Sequence, residues 1–178
     1  TTQHELIAHA GLADAAPLVR EAALQIADPQ VRYVGTLGGN VANGDPGNDM
    51  PGVMQCLDAD FELQGPNGIR QVPARAFYEA AYVTARGESE ILTRILIPLP
   101  PAGTGHAYEK QKRKIGDYAT AAAAVALTMA GGSCAAASIA MTNLAATPIH
   151  VPAARAALVG SALGESAIGT AVAAMQAA

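Results

Sequence analysis

The chain has no tryptophan, two phenylalanines and five tyrosines in 178 residues. Large rings therefore supply little of its buried area, and the abundant alanine leaves a thin core for the length. Part of its stability is expected to come from a partner surface. Cysteine is as scarce. Cys56 and Cys134 are far apart in apolar surroundings, which suits reduced, buried thiols of a reducing cytoplasm better than a disulfide framework or a metal site. Charged residues make up 15% of the chain and the formal net charge is -4, so neither a basic groove for nucleic acid nor an acidic tail is present. The longest apolar run, Ala121 to Ala130, is interrupted by Thr128, too short for a transmembrane segment. No charged stretch followed by an apolar one opens the chain, and the expectation is a soluble protein of one or two lobes. His4, His9, His106 and His150 lack metal-ligand spacing, and no Ser/His/Asp or Cys/His arrangement is evident.

Against this bland background stands "GTLGGNVANGDPGND", Gly35 to Asp49, with five glycines, three asparagines and two aspartates. Walker A needs a Lys-Ser or Lys-Thr pair after its glycines, and the dinucleotide fingerprint needs G-x-G-x-x-G, whereas the spacing here is Gly35-x-x-Gly38-Gly39. What remains is backbone physics. Glycines reach positive φ without steric cost, so consecutive N–H groups can converge on one anion and a pyrophosphate can approach the main chain. Thr36 and Asn40 can add side-chain hydrogen bonds, while Asp45 and Asp49 suit hydroxyls better than phosphate. A surface loop of turn residues is the competing reading, and a calcium loop a lesser one, since "DPGND" lacks the alternating ligands and distal glutamate of an EF-hand.

Elsewhere the pattern predicts a helix from a cap at Asp14 to about Ala27, with Leu18, Ala22 and Ile26 on one stripe. A short helix follows from Met50 to Leu57 behind Pro51, then a hairpin in "DFELQGPNGIRQVPA". Ala74 to Ala81 reads as a short helix, "EILTRILIPLP" as a strand ended by Pro98, and "GHAYEKQKRK" as another strand. From Ala119 the alanines favour helix, yet Gly131-Gly132 and "ASIAMTNLA" suggest two hairpin strands. Two alanine-rich helices, 151–159 and 165–177, close the chain. The proline- and glycine-rich 98–105 segment is the candidate boundary between lobes.

Three segments in order, "VRYVGTLGGNVANGDPGNDMP", "ILTRILIPLP" and "AYEKQKRKIGDYATA", resemble the FAD-binding medium subunit of the molybdenum hydroxylase family, which includes xanthine dehydrogenases and aerobic carbon monoxide dehydrogenase. The likeness covers nearly the whole chain and leans toward the carbon monoxide dehydrogenase branch. It implies an α+β fold, with the second lobe of a two-lobed FAD-binding domain over residues 1–102. A C-terminal lobe of small antiparallel sheet and helices would fill 103–178. It also implies that Thr36, Leu37, Gly38, Gly39 and Asn40 wrap the FAD pyrophosphate and that Asp49 meets the flavin's polar chain. Ile26 would lie near the adenine end, Leu92 would make an apolar contact, and Lys110 would stand beside the isoalloxazine, where a cation favours the anionic reduced flavin and raises its potential. Tyr118 would neighbour the ring.

The implied function is that of an oxidoreductase subunit, in which FAD passes electrons to an external acceptor. The electrons would come from 2Fe-2S clusters on a small subunit, after substrate oxidation at a molybdenum cofactor on a large one. No catalytic or metal-binding residue is expected here. The expected setting is cytoplasmic, with association to the inner membrane face through the complex. The family's first lobe carries a glycine-rich segment that this sequence lacks, and the family's last helices are also missing, so a fragment or split gene product is expected. Two alternatives stand beside this reading. One is a non-catalytic interaction subunit that keeps the fold without flavin; the other is a stand-alone NAD-dependent enzyme, disfavoured by the fingerprint spacing and the lack of an acid/base pair.

Overall fold

The computed structural model describes all 178 residues. Six short helices come first: α1 (Gln3–Ala8), α2 (Ala10–Ala15), α3 (Pro17–Gln25), α4 (Pro29–Val34), α5 (Leu37–Ala42) and α6 (Met50–Cys56). Each is short because a cap or a proline punctuates the chain every few residues. Thr2 and Glu5 form a reciprocal capping box on α1, Thr36 caps α5, and His9 both ends α1 and caps α2 through Nδ1, which accepts the Leu12 N–H at 3.0 Å. Asp14 caps nothing. It lies within α2, and α3 begins at Pro17, whose ring fits a first helical position that needs no N–H. The stripe on α3 is buried as expected, through Leu18, Val19, Ala22 and Ala23.

β1 (Asp60–Gly65) and β2 (Gly68–Pro73) form the expected hairpin, and β5 (Ile91–Leu96) pairs antiparallel with the other side of β1. The sheet order β2-β1-β5 leaves β5 as an edge. The helix expected over 74–81 is absent: a 3₁₀ turn at Ala74–Ala76 leads into β3 (Tyr78–Ala80), which pairs with β4 (Val83–Thr84). Phe77 is wholly buried with its ring edge-on to Phe61 at 4.8 Å, and that packing overrides the helical preference of the alanines.

A second sheet, ordered β6-β7-β8-β9, comprises β6 (Thr104–Gln111), β7 (Ala121–Ala130), β8 (Ser133–Thr142) and β9 (Ile149–His150). The ambiguous alanine run is thus a central strand. Gly131 and Gly132 both have positive φ, as a two-residue hairpin turn requires, and pairing on both edges outweighs alanine's helix propensity. One face of this sheet, through Tyr108, Ala122, Ala124 and Ala140, shares a core with the helices and the first sheet. The other face meets α7 (Pro152–Leu158) and α8 (Glu165–Gln176) in a smaller core around Ile139, Met141, Ala154 and Leu158. Alanine and glycine at the junction permit close approach of α6, where a Cβ on Gly52 would collide with Thr142 Cγ2.

Candidate functional site

The glycine-rich bend opens α5. Thr36 Oγ1 accepts the Gly39 N–H at 2.9 Å, the Asn40 N–H donates to Thr36 O at 3.0 Å, and the Leu37 N–H donates to Thr1 O at 2.9 Å. The five amides from Thr36 to Asn40 do not all turn to one point, because threonine capping, the first helical turn and the return of the N-terminal segment claim three of them. The N–H groups of Thr36 and Gly38 have no partner in the chain, and of these two only Gly38 lacks a side chain. A Cβ there would meet only Leu92 Cδ2, at 3.9 Å. Beside it opens a cleft of about 1080 Å³, with Leu6, Leu12, Gly38, Leu92, Arg94 and Ile97 in its lining. Thr36, Leu37 and Gly39 share that lining. The bare main chain at Gly38, with an open amide and space where a side chain would stand, is a cradle that fits a bulky anion approaching the backbone.

Asn40 faces elsewhere. Its Oδ1 accepts the Met50 N–H at 3.3 Å and its carbonyl accepts Asn48 Nδ2–H at 2.8 Å, tying α5 to the start of α6. The adjacent Asp49 is buried in a network that links three segments. Tyr108 OH donates to Asp49 Oδ1, Lys110 Nζ donates to Asp49 Oδ2 at 2.9 Å, and Lys110 Nζ also donates to the Gln25 carbonyl at 3.3 Å. Gln25 Nε2–H returns to Tyr108 O at 3.3 Å. The Lys110 and Asp49 side chains are 1% and 6% exposed, so the cation expected beside the isoalloxazine is held in an ion pair inside the protein. Burial first, and the Asp49 carboxylate second, push the Tyr108 phenol far above its ordinary range and keep it a donor.

Lys110 also helps close the end of α3, where Arg32 Nη1 donates to the Ile26 and Ala27 carbonyls at 2.9 and 3.1 Å. Two cations therefore sit on carbonyls left open at a helix C-terminus. Ile26 itself is a core residue at the end of α3. Tyr118 is 62% exposed, and its ring lies so close to Gly47 that a Cβ there would come within 2.9 Å of Cδ1.

The ten residues singled out in the sequence thus divide. Thr36, Leu37, Gly38, Gly39 and Leu92 border the cleft; Asp49 and Lys110 form the buried pair, with Ile26 next to its third partner; Asn40 joins the two groups; Tyr118 stands outside. Tyr108, Gln25 and Arg94 were not foreseen. For Tyr108 a signal existed, because residues two apart on a strand share a face and Tyr108 precedes Lys110 by two.

This combination, a glycine cradle on a cleft followed by a sheet-and-helix lobe, suits a module that binds a bulky anionic cofactor. The chain belongs to the family described as the FAD binding domain in molybdopterin dehydrogenase, whose model matches residues 1–100, and residues 106–178 match the CO dehydrogenase flavoprotein C-terminal domain. The carbon monoxide dehydrogenase medium chain of Afipia carboxidovorans is 61% identical over 173 residues, covering 97% of this chain and 60% of the relative. The corresponding chain of Hydrogenophaga pseudoflava is 44% identical, covering 94% and 58%. Among solved structures, reconstituted CO dehydrogenase from Oligotropha carboxidovorans superposes with a TM-score of 0.97 at 60% identity, covering 99% of this chain and 62% of that one. Quinoline 2-oxidoreductase from Pseudomonas putida superposes with a TM-score of 0.90 at 32% identity, covering 98% and 60%. The chain therefore spans about 60% of the length of these two medium chains.

Proposed function

We propose that this chain is an FAD-binding electron-transfer subunit of a molybdenum hydroxylase of the carbon monoxide dehydrogenase type, with residues 1–102 as its FAD-binding part and 103–178 as its C-terminal lobe. Its partners would be a large subunit with the molybdenum cofactor and a small subunit with 2Fe-2S clusters. Its electrons would go to an external acceptor. The observation that carries this reading is the Gly38 cradle, an unpartnered amide with no side chain on the wall of a cleft. Family membership and the medium-chain relatives support it.

When bound, FAD supplies the electron-accepting ring system; the chain supplies binding, orientation and electrostatics. Gly38 offers its N–H and room for the pyrophosphate, Thr36 and Gly39 hold the bend in shape, and Leu37 and Leu92 give apolar walls. Ile26, a core residue at the end of α3, would be the apolar contact for the adenine. Asn40 transmits the position of the bend to Asp49 through Asn48 and Met50. Lys110 and Asp49 set the local charge as a pair, and Tyr118, exposed against Gly47, offers an aromatic neighbour for the ring. No helix of the chain is long and apolar enough to cross a membrane, and a cytoplasmic complex at the inner membrane face is the proposed setting.

In the purified assembly, Gly38→Val should lose FAD while the molybdenum and iron sites stay loaded; full FAD retention would count against the assignment. A second reading, a non-catalytic interaction subunit, has one observation in its favour: Lys110 and Asp49 neutralise each other inside the protein. Flavin bands in the absorbance spectrum of the wild-type chain separate the two.

A further inference from the structure

Arg94 has a loose place in a chain that elsewhere closes its arginine pairs tightly. Arg70 grips Glu90 through two bonds, Nε to Oε1 at 2.6 Å and Nη2 to Oε2 at 2.7 Å. Arg94, by contrast, makes one approach of 3.5 Å, from Nη1 to Glu62 Oε2, and its side chain is 70% exposed. Glu62 Oε1 is meanwhile held by the Thr93 hydroxyl at 3.1 Å. Most of the guanidinium's donors are therefore free.

Its placement has a local cause. β5 pairs Leu63 with Leu92 and Glu62 with Arg94, so Thr93 is an extra residue and the ladder carries a bulge. A bulge bends an edge strand and re-aims the side chain that follows it. Leu92, before the bulge, contacts the space beside Gly38, and Arg94, after it, borders the same cleft. Arg94 is the only lysine or arginine in that lining. The other ionisable side chains there are His9, whose Nδ1 accepts the Leu12 N–H, and Glu5, whose carboxylate is held by the Thr2 N–H and hydroxyl. A dinucleotide diphosphate brings negative charge that neutral backbone amides cannot balance, and a planar guanidinium with free donors is the side chain best matched to it.

We infer that Arg94 is the cationic contact for the diphosphate of the dinucleotide held at Gly38. This rests on the FAD reading above and adds to it a residue outside the glycine bend. Charge-assisted hydrogen bonds of this kind correspond to roughly a 10- to 100-fold change in affinity.

The experiment is a fluorescence titration of the full chain with FAD at low and high ionic strength, on wild type, Arg94→Gln and Arg94→Lys, with thermal unfolding measured alongside. Arg94→Gln should weaken FAD binding by roughly 10- to 100-fold and flatten the salt dependence. Its unfolding temperature should hold, since the approach to Glu62 is long at 3.5 Å, the Arg94 side chain is 70% exposed, and Glu62 keeps the Thr93 hydroxyl on Oε1. Arg94→Lys should recover part of the affinity and the salt slope. Wild-type affinity and salt slope in Arg94→Gln would overturn the inference and leave the FAD reading intact. Weakened binding with an unchanged salt slope and a lowered unfolding temperature would also overturn it, by making Arg94 a part of the scaffold. A wild-type chain that binds no FAD would remove both the reading and the inference.

Discussion

Replacing Lys110 by Met removes the only charge partner of a buried carboxylate. The ammonium lies 2.9 Å from Asp49 Oδ2, with both side chains almost wholly out of water. Removing one member of such a pair costs about 3–5 kcal/mol, because the remaining charge has neither water nor counter-charge. The Gln25 carbonyl at the end of α3 loses a donor as well. For a domain of ordinary stability, about 5–15 kcal/mol, this is a large fraction. At a urea dependence of about 2 kcal/mol per molar, the midpoint falls by roughly 1.5–2.5 M. Asp49→Asn alone should behave similarly, since it strands the ammonium. The double variant Lys110→Met with Asp49→Asn strands no charge and keeps an oxygen for the Tyr108 hydroxyl. Its cost should stay within about 1–2 kcal/mol, well below the sum of the single losses. Urea unfolding followed by circular dichroism, at constant slope, gives all three values. Single variants losing less than about 1 kcal/mol with an additive double variant would refute the buried pair.

Gly52→Ala should destabilise the chain by about 1–3 kcal/mol, because the added methyl meets Thr142 across the junction between α6 and β8, and Thr142→Ser should relieve part of that loss in a urea double-mutant comparison. Glu90, held by Arg70 first and the Gly87 N–H second, has its carboxyl lowered to about 2 from an ordinary 4.5. Its stabilising share is therefore full above pH 4.5 and is lost as pH falls toward 2; Glu90→Gln should remove that part of the acid dependence, and an unchanged acid profile would contradict it. The Cys56 thiol, pushed up to about 12 by burial and lying 2% exposed beside the Ser138 carbonyl, should stay unreactive toward a thiol reagent at neutral pH until the chain unfolds. Prompt labelling of Cys56 in the native chain would contradict the burial.

Where one periodicity dominated, the sequence was readable. The stripe on α3, the hairpin that turns at Pro66–Asn67 and the Gly131–Gly132 turn all follow from spacing and turn chemistry. Ala74 to Ala81 was misread because helix propensity is local, while the strand that forms there is fixed by burying Phe77 against Phe61. The candidate site divides in the same way. Glycine at 38 was legible, since only a missing side chain opens the main chain there. The capping of Gly39 by Thr36 and the pairing of Lys110 with Asp49 were not, because each partner's commitments depend on where a distant segment returns. A lysine in a charge run shows its charge in the sequence, not its counter-ion 61 residues away. Arg94 was hidden for a related reason: its weak hold on Glu62 and its place beside the cleft depend on how β5 registers with β1 around one extra residue.

The most direct test of the account is the chromophore itself, measured on the chain as purified. The visible spectrum should carry flavin bands, acid release should yield FAD in stoichiometric amount, and Gly38→Val should be colourless while its circular dichroism stays native. A colourless, natively folded wild-type chain that takes up no added FAD would contradict the central claim.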